Sequence, residues 1–466
     1  MELNRFYLGD CLKIMKDFPE NSIDSVVTDP PYGLEFMGKD WDKSIPPTET
    51  WKECLRILKP GAFAFIMCSP RFDCLTEMGK RLQDAGFETG FTPIFWAYAS
   101  GFPKGINISK AIDKNLGLER KVIFIDKTLQ RPNAPENRLK EEAVGKYGLM
   151  GDAGVITESA SKEAKELDGS YGGFQPKPAV EVIIVAMKPL SEKTFVEQAL
   201  KNKKGITWIQ NCKIPITEKF DEQEYDFNRR GYHERYKGED KPYEGGWKPR
   251  TVDVGEIEGR FPANLLVNND VLNVESKGAF ASVKSGQKGW GGQIYGKFKS
   301  GGDDGKTFYS NGEEDKSFSR YFSLDSWWAK TIESLPEKVR KTFPFLIEAK
   351  ASKTERDKGL EKFTEVELPY GSGGQAMPGG NENPIKTKMK NYHPTVKPLK
   401  LMSYLITLGS RENDIILDPF VGSGTTCIAA EMLNRNWIGI DIVEDYLKIA
   451  RARMAPFQTA SLEDFM

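Results

Sequence analysis

The sequence is poor in the residues that build metal centres and disulfide frameworks. It has two histidines and six cysteines in 466 residues, and no two cysteines form a C-x-x-C pair. This spacing does not match a zinc site, and scattered cysteines in a large chain are typical of proteins from a reducing compartment. We therefore expect no bound metal and a cytoplasmic location.

Long apolar runs and an excess of one charge are also absent. No apolar stretch has the length that a membrane-spanning helix needs, and the opening MELNRFYLGD lacks the pattern of a signal peptide. The 66 lysines and arginines nearly balance the 67 aspartates and glutamates. A nucleic-acid partner would therefore have to bind local basic patches rather than a cationic body, and we expect no contact with a membrane.

The first hundred residues alternate between strand and helix patterns, which is typical of a doubly wound parallel sheet. Helices are predicted at PTETWKECLRIL and at RFDCLTEMGKRLQDAG, which Gly86 ends. The predicted strands of this part are RFYLG, SIDSVVTD, GAFAFIMC and FTPIFWAYA.

The pattern weakens from about residue 101 to residue 345, where KPAVEVIIVAMKPL and GRFPANLLVNN are the clearest strands. Order returns near the C-terminus with a helix that begins after Pro398. A strand, a glycine turn and a helix follow in DIILDPFVGSGTTCIAAEMLN, and a second such unit in NWIGIDIVEDYLKIARARM. Two halves of one sheet are therefore expected to flank a long insert.

The stretch TDPPYG, residues 28–33, follows a short apolar strand pattern. Pro30 and Pro31 have no N–H to donate, so strand pairing must end there. A lone Asp-Pro would indicate a surface turn. Here Asp29, a rigid backbone and the ring of Tyr32 come together at the carboxyl end of a predicted strand, where open α/β sheets bind ligands. We interpret the stretch as a site.

A second candidate site is DPFVGSGTT, residues 418–426, between a strand and a helix. Gly422 and Gly424 allow a ligand to approach the backbone closely, and Asp441 ends the next strand, placed for ribose hydroxyls. The absence of Gly-Lys-Ser/Thr excludes a P-loop, and Cys427 at the third glycine position excludes a full dinucleotide fingerprint. These exclusions leave a nucleoside that has a small anionic tail and no pyrophosphate. S-adenosylmethionine fits this description, with its carboxylate at the turn. A helix-entry turn without a ligand is the alternative.

Together, DPPYG early and DPFVGSGTT late resemble the amino-group DNA methyltransferases of the β-class circular permutation, in which the catalytic motif precedes the cofactor motif. The resemblance covers nearly the whole chain and implies a Rossmann-like α/β fold, circularly permuted, with an inserted target-recognition region. It implies S-adenosylmethionine as methyl donor and double-stranded DNA as partner of a monomer or homodimer. Further matching stretches are FMGKDWD, GFPKGINISKAIDK, KPAVEVIIVAMKPL, GRFPANLL, EAKASKTERDKGL and HPTVKPLKLM.

The same resemblance divides the chain and assigns its site. Residues 1–104, 178–190 and 390–456 are expected to form the methyltransferase domain, residues 105–177 an insert, 191–389 the target-recognition region with a flexible loop, and 457–466 a tail. The implied catalytic residues are Asp29, Pro30, Pro31 and Tyr32. The implied cofactor-binding residues are Asp10 beside the adenine, His393, Thr395 and Lys397 at the methionine end, and Asp418, Phe420, Gly422, Gly424, Thr425 and Asp441.

The motif has a physical rationale in amine chemistry. The lone pair of an exocyclic base amine is delocalised into the ring, so the amine is a poor nucleophile. If the Asp29 carboxylate and the Pro30 carbonyl each accept one N–H, the nitrogen is drawn towards tetrahedral geometry and its lone pair becomes available. Tyr32 offers a face to a base flipped out of the duplex. The aromatic cluster Trp96, Tyr98 and Phe102 offers a second face unless these side chains belong to the core.

Several alternatives remain open from the sequence. Asp29 favours adenine, because family members that act on the cytosine amine mostly have Ser at that position, but either base offers the same geometry. A DNA-binding subunit without activity, methylation of RNA or protein amines, and a fused restriction nuclease based on EAK at residues 348–350 are further hypotheses. The lysine- and aromatic-rich segment 277–320 is either a DNA contact or a solvated loop.

Overall fold

The computed structural model describes residues 1–33, 42, 44–97, 106–125, 155–173, 179–215, 259, 261–267, 323–335, 353–361, 363–369, 386–393 and 395–463. The candidate DNA-contact segment 277–320 and the EAK letters at 348–350 lie outside these residues, as does most of the FMGKDWD stretch.

Strands and helices alternate through most of the described chain. The strands are β1 (Arg5–Leu8), β2 (Ser25–Thr28), β3 (Phe63–Cys68), β4 (Ile94–Ala97), β5 (Ile106–Asn107), β6 (Val122–Ile125), β7 (Val155–Thr157), β8 (Tyr171–Gly172), β9 (Val180–Met187), β10 (Leu265–Val267), β11 (Val366–Pro369), β12 (Lys386–Met389), β13 (Ile415–Asp418) and β14 (Asn436–Asp441). The helices are α1 (Cys11–Met15), α2 (Thr48–Ile57), α3 (Phe72–Ala85), α4 (Ile108–Asn115), α5 (Lys162–Glu166), α6 (Phe195–Asn202), α7 (Leu324–Ser334), α8 (Lys353–Asp357), α9 (Leu399–Gly409), α10 (Thr425–Met432) and α11 (Glu444–Glu463).

An eight-stranded sheet in the order β1-β14-β13-β2-β3-β9-β4-β10 forms the centre. Its neighbouring strands are parallel except at β9, which runs antiparallel to β3 and β4. The last two strands of the chain lie between the first two, because β14 pairs with β1 and β13 pairs with β2. This order confirms the circularly permuted, Rossmann-like α/β fold that the sequence predicts.

Helices cover both faces of the sheet, as an all-buried parallel sheet requires. One core joins apolar side chains of α7, α9, α10 and α11 to the sheet, and the other joins those of α1, α2 and α3. Helix α9 is buried along its whole length and is mostly apolar, and its buried Lys400 is paired with Asp325. Helix α11 follows β14 and packs back against β1, so the two ends of the permuted domain meet.

Several parts of the structure were not expected from the sequence. The five-residue helix α1 begins at Cys11 and is capped by Asp10, whose carboxylate accepts the N–H of Leu12. The stretch GRFPANLLVNN predicts strand β10, but not that this strand of residues 191–389 adds to the main sheet beside β4. Of the two alternatives for Trp96, the structure confirms the core, since its side chain is only 2% exposed. Tyr98 and Phe102 lie outside the described residues.

None of the helices in the described ranges combines the length and the apolar character needed to cross a membrane.

Candidate active site

A cavity of about 330 Å³ lies where β1, β14, β13 and β2 end. The strand order reverses between β13 and β2, and this switch point is where doubly wound sheets bind ligands. The volume falls within the usual range of small-molecule sites. Of the predicted site residues, those that line it are Asp10, Asp29, Pro31, His393, Thr395, Lys397, Asp418, Phe420, Gly422, Thr425 and Asp441.

Other lining residues carried no signal in the sequence. The segment before and within the start of α2 contributes Ser44, Pro46, Pro47 and Thr50, and α11 contributes Tyr446. Three predicted site residues that the structure describes, Pro30, Tyr32 and Gly424, do not line the cavity. No group of three or more histidine, cysteine, aspartate or glutamate side chains in the described ranges is arranged to hold a metal ion.

Asp29 is held by two donors at the end of β2. The Tyr32 hydroxyl donates to its Oδ1 at 2.5 Å, and the Lys397 ammonium donates to its Oδ2 at 2.6 Å. Asp42, which is 3% exposed, accepts the backbone N–H groups of Tyr32 at 2.8 Å and Gly33 at 3.1 Å. The turn after Asp29 is therefore fixed by hydrogen bonds in addition to its two prolines.

Lys397 lies between two carboxylates. Its Nζ is 2.6 Å from Asp29 Oδ2 and 3.3 Å from Glu181 Oε2. Burial alone would lower the pKa of Lys397, but the charges of Asp29 and Glu181 raise it well above its usual value. Burial and the charge of Asp29 also raise the pKa of Tyr32, so Tyr32 stays protonated and acts as a donor.

The two glycines of the turn have different neighbours. Both have positive φ angles, +51° at Gly422 and +88° at Gly424, which favours glycine. A Cβ at Gly422 would lie 2.5 Å from His393 Nε2, at the cavity wall. A Cβ at Gly424 would lie 2.9 Å from Ala450 Cβ of α11 and 3.5 Å from Phe6 Cζ. Gly424 therefore permits close packing of α11, and the expectation that it faces the ligand is not supported.

Asp418 connects three elements below the cavity. The hydroxyls of Thr28 and Thr426 donate to its two oxygens, both at 2.6 Å, and the Phe420 N–H donates to Oδ1 at 3.1 Å. Burial raises the pKa of Asp418 to about 6 despite these bonds. Because β13 carries Asp418, β2 carries Thr28 and α10 carries Thr426, the carboxylate fixes both motifs relative to each other.

Asp441 stands at the end of β14 and also lines the cavity. Its Oδ2 accepts the Gly422 N–H and its Oδ1 accepts the Val443 N–H, both at 2.8 Å. Burial raises the pKa of Asp441 to about 6. A carboxylate has about four acceptor positions, so Asp441 keeps acceptor capacity for a ligand.

His393 is buried against the glycine turn and contacts the Tyr446 ring edge-on, with 4.4 Å between ring centroids. Burial, together with the charges of Arg356, Arg453 and Lys397, lowers the pKa of His393 to about 3. The ring is therefore neutral near pH 7. The Thr395 N–H points at Nδ1 at 3.3 Å, which assigns the ring proton to Nε2.

Two arginines that the sequence did not single out support this end of the cavity. Arg453 of α11 is 2% exposed and donates to the Ser423 carbonyl at 2.6 Å and to the Thr425 hydroxyl at 3.2 Å. Burial lowers its pKa to about 10, so it remains charged at neutral pH. Arg356 donates to the His393 carbonyl at 2.9 Å. In the sequence both arginines look like ordinary surface charges on helices.

Comparison with known proteins gives short matches to curated sequences. The chain is 52% identical over 67 residues to the type II methyltransferase M2.DpnII of Streptococcus pneumoniae, which is 14% of this chain and 25% of that protein. It is 48% identical over 67 residues to the type II methyltransferase M.HpaI of Haemophilus parainfluenzae, which is 14% of this chain and 21% of that protein. The matches therefore span about a quarter or less of these relatives.

Among solved structures, the chain matches the cytosine-N4-specific PvuII DNA methyltransferase, at 14% identity and a TM-score of 0.38 over 97% of this chain and 86% of that one. A DNA modification methylase of Thermus thermophilus in complex with S-adenosyl-L-methionine has 15% identity and a TM-score of 0.34 over 97% and 95%.

A family model described as DNA methylase matches residues 23–452, which is most of the chain. The match includes both TDPPYG and DPFVGSGTT, and the family uses S-adenosylmethionine. The chain therefore belongs to the N6/N4 amino-methyltransferase family of DNA methylases.

Proposed function

We propose that the protein transfers a methyl group from S-adenosylmethionine to the exocyclic amino group of adenine in double-stranded DNA. The observation that carries the proposal is the position of Asp29. Its carboxylate is fixed at the wall of the cavity that the glycine turn and Asp441 also line. Asp29, the proposed acceptor for the amine, and the proposed nucleoside site therefore lie at the same edge of the sheet.

The donor groups around the cavity fit S-adenosylmethionine. Asp441 has acceptor positions left for ribose hydroxyls, and Asp10 stands at the end of β1 on the same wall. The glycine turn, backed by the buried charge of Arg453, suits the carboxylate of the ligand. When bound, S-adenosylmethionine supplies an electrophilic methyl group on a positively charged sulfonium.

Asp29 addresses the target base. Its oxygens accept an N–H of the amine, with the Pro30 carbonyl as the second acceptor, so that the nitrogen lone pair is released from the ring. The negative charge of Asp29 also stabilises the positive charge that develops on the nitrogen. No covalent enzyme intermediate is required, so none of the buried cysteines needs a role.

Adenine is the proposed base because Asp precedes the two prolines at residue 29. The geometry of the amine is the same in cytosine, so methylation of the cytosine amino group is the second candidate. The target nucleotide has to leave the duplex to reach Asp29, since its amine is buried in the base stack. Segment 277–320 is our proposed DNA contact, and the cytoplasm is the proposed location.

Expression in a bacterial host without amino-methyltransferases tests the function. Genomic DNA from these cells, digested to nucleosides and measured by mass spectrometry, should contain N6-methyladenine. Cells that express the Asp29→Ala protein serve as the control and should contain none. N4-methylcytosine would change only the assigned base. Unmodified DNA, from cells whose protein is folded and binds S-adenosylmethionine, would contradict the proposal.

A further inference from the structure

Glu181 reaches the catalytic edge of the sheet from the middle of the sequence. It lies at the start of β9, and β9 runs antiparallel to β3, so that Val182 pairs with Cys68 at the end of β3. The beginning of β9 therefore lies beside the carboxyl ends of the parallel strands. This reversal places Glu181 within ion-pair distance of Lys397.

Lys397 is shared unequally by its two carboxylates. Its Nζ is 2.6 Å from Asp29 Oδ2 and 3.3 Å from Glu181 Oε2. The three side chains are 9%, 15% and 19% exposed for Lys397, Asp29 and Glu181. An ammonium this deeply buried is strongly destabilised without a carboxylate partner, so Lys397 needs one of the two at every stage of the reaction.

The ion pair between Lys397 and Asp29 conflicts with the proposed role of Asp29 as acceptor for the target amine. The ammonium occupies Oδ2, the Tyr32 hydroxyl occupies Oδ1, and the positive charge of Lys397 offsets the negative charge that the target amine requires. A carboxylate bound in this way is a weaker acceptor for the amine and stabilises its developing positive charge less. Asp29 becomes a better acceptor if Lys397 moves towards its other partner.

We propose that Glu181 is a positioning residue that accepts the Lys397 ammonium when the target amine enters and so releases Oδ2 of Asp29. The inference rests on the proposed function and adds a residue to it. Glu181 is the second partner that lets Lys397 leave Asp29 without becoming an isolated buried cation. It acts on the base and the methyl-transfer step, and not on binding of S-adenosylmethionine.

Glu181→Gln tests this role, because glutamine keeps the shape but holds an ammonium less strongly than a carboxylate does. Lys397 should then remain on Asp29. Single-turnover transfer of tritiated methyl from S-adenosylmethionine to unmethylated genomic DNA should fall at least about tenfold. The dissociation constant for S-adenosylmethionine should change less than about twofold, since the substitution leaves the cofactor contacts in place. Glu88→Gln, beside the other end of β9, is the matched control and should behave as wild type.

A double-mutant cycle separates positioning from a merely structural role. In the Lys397→Met background there is no ammonium for Glu181 to hold, so adding Glu181→Gln should cause no further loss of transfer rate. A full, additive loss in that background would show that Glu181 supports the fold, and would overturn the proposal.

The wild type distinguishes this inference from the function on which it rests. If the wild type methylates DNA and Glu181→Gln transfers methyl at the same rate, only the proposed role of Glu181 is overturned. A folded wild type that transfers no methyl group to DNA would overturn the proposed function itself.

Discussion

At residue 422 the structure leaves no room for a side chain. An alanine methyl there would lie 2.5 Å from His393 Nε2, on a backbone with a φ of +51°. We predict that Gly422→Ala weakens binding of S-adenosylmethionine about tenfold or more, because either the ring or the turn must move into the cavity. Isothermal titration calorimetry measures this. Gly79→Ala in α3, where a Cβ has no neighbour within 4 Å, is the control; equal affinities in both variants would contradict the assignment of the turn.

Asp441 gives cofactor binding a pH dependence with a defined sign. Burial raises its pKa to about 6, and only the ionised form offers all acceptor positions to ribose hydroxyls. Affinity for S-adenosylmethionine should therefore be full above pH 7 and decrease as the pH falls through 6 towards 5. Titrations at several pH values should show this trend in the wild type and a weaker trend in Asp441→Asn, where Asp418, whose pKa is also raised to about 6, still titrates. His393 does not add to the trend, since its pKa is about 3.

At the scale of elements, Asp418 connects β13 to β2 and α10 through two hydroxyls. Thr426→Val removes one donor from a carboxylate that is 3% exposed. Leaving a buried charged group short of a partner should lower the free energy of unfolding by about 1–3 kcal/mol. Urea denaturation measures the change, with Thr207→Val on the exposed surface as the control. An unchanged midpoint for Thr426→Val would show that Asp418 does not stabilise this junction.

The elements with strong patterns could be predicted from the sequence. Helix α3 ends at Gly86, which has a φ of +103° as a C-cap glycine should, and β10 lies within the stretch GRFPANLLVNN. Helix α1 could not be predicted, because five residues carry too little periodicity to distinguish a helix from a turn. The short strands β5 to β8 form two-stranded sheets outside the main sheet. They are too short for a pattern of alternating apolar and polar residues to predict them.

At the scale of the whole molecule, a buried charge cluster joins distant segments at the edge opposite the cavity. The Lys204 ammonium lies 2.8 Å from Asp24 Oδ1 and 2.9 Å from Asp414 Oδ2, and Lys59 also pairs with Asp24. Asp24 precedes β2 and Asp414 precedes β13. The cluster thus connects the two strands on either side of the switch point with the segment that follows α6.

We predict that Lys204→Met lowers the free energy of unfolding by about 3 kcal/mol, because it leaves the buried Asp24 and the partly buried Asp414 with one partner fewer. The methyl-transfer rate at a temperature where the protein is folded should not change. Calorimetric melting and a rate assay together test this. Lys201→Met removes an exposed ion pair with Glu192 and should have little effect on either quantity. A Lys204→Met protein with wild-type melting behaviour would contradict the prediction.

The motifs of the candidate site could be predicted from the sequence, but the contacts between its residues could not. Asp29 and the glycine turn were recognisable because strand ends and glycine spacing are local signals. The partners that determine their geometry are distant in sequence, as Lys397 is from Asp29 and Arg453 is from Ser423. Such long-range pairs follow from the permuted sheet, and single residues such as Glu181 and Arg453 have no pattern of their own.

Asp29 is the most direct test of the account. Single-turnover transfer of tritiated methyl to duplex DNA should fall at least about a hundredfold in Asp29→Ala, the scale for losing one preorganised polar group at a reacting centre. Calorimetry should show S-adenosylmethionine binding nearly unchanged. Asp29→Asn should lie between wild type and Asp29→Ala, because its amide oxygen accepts a hydrogen bond but carries no charge. A folded Asp29→Ala protein that methylates DNA at the wild-type rate would contradict the mechanism.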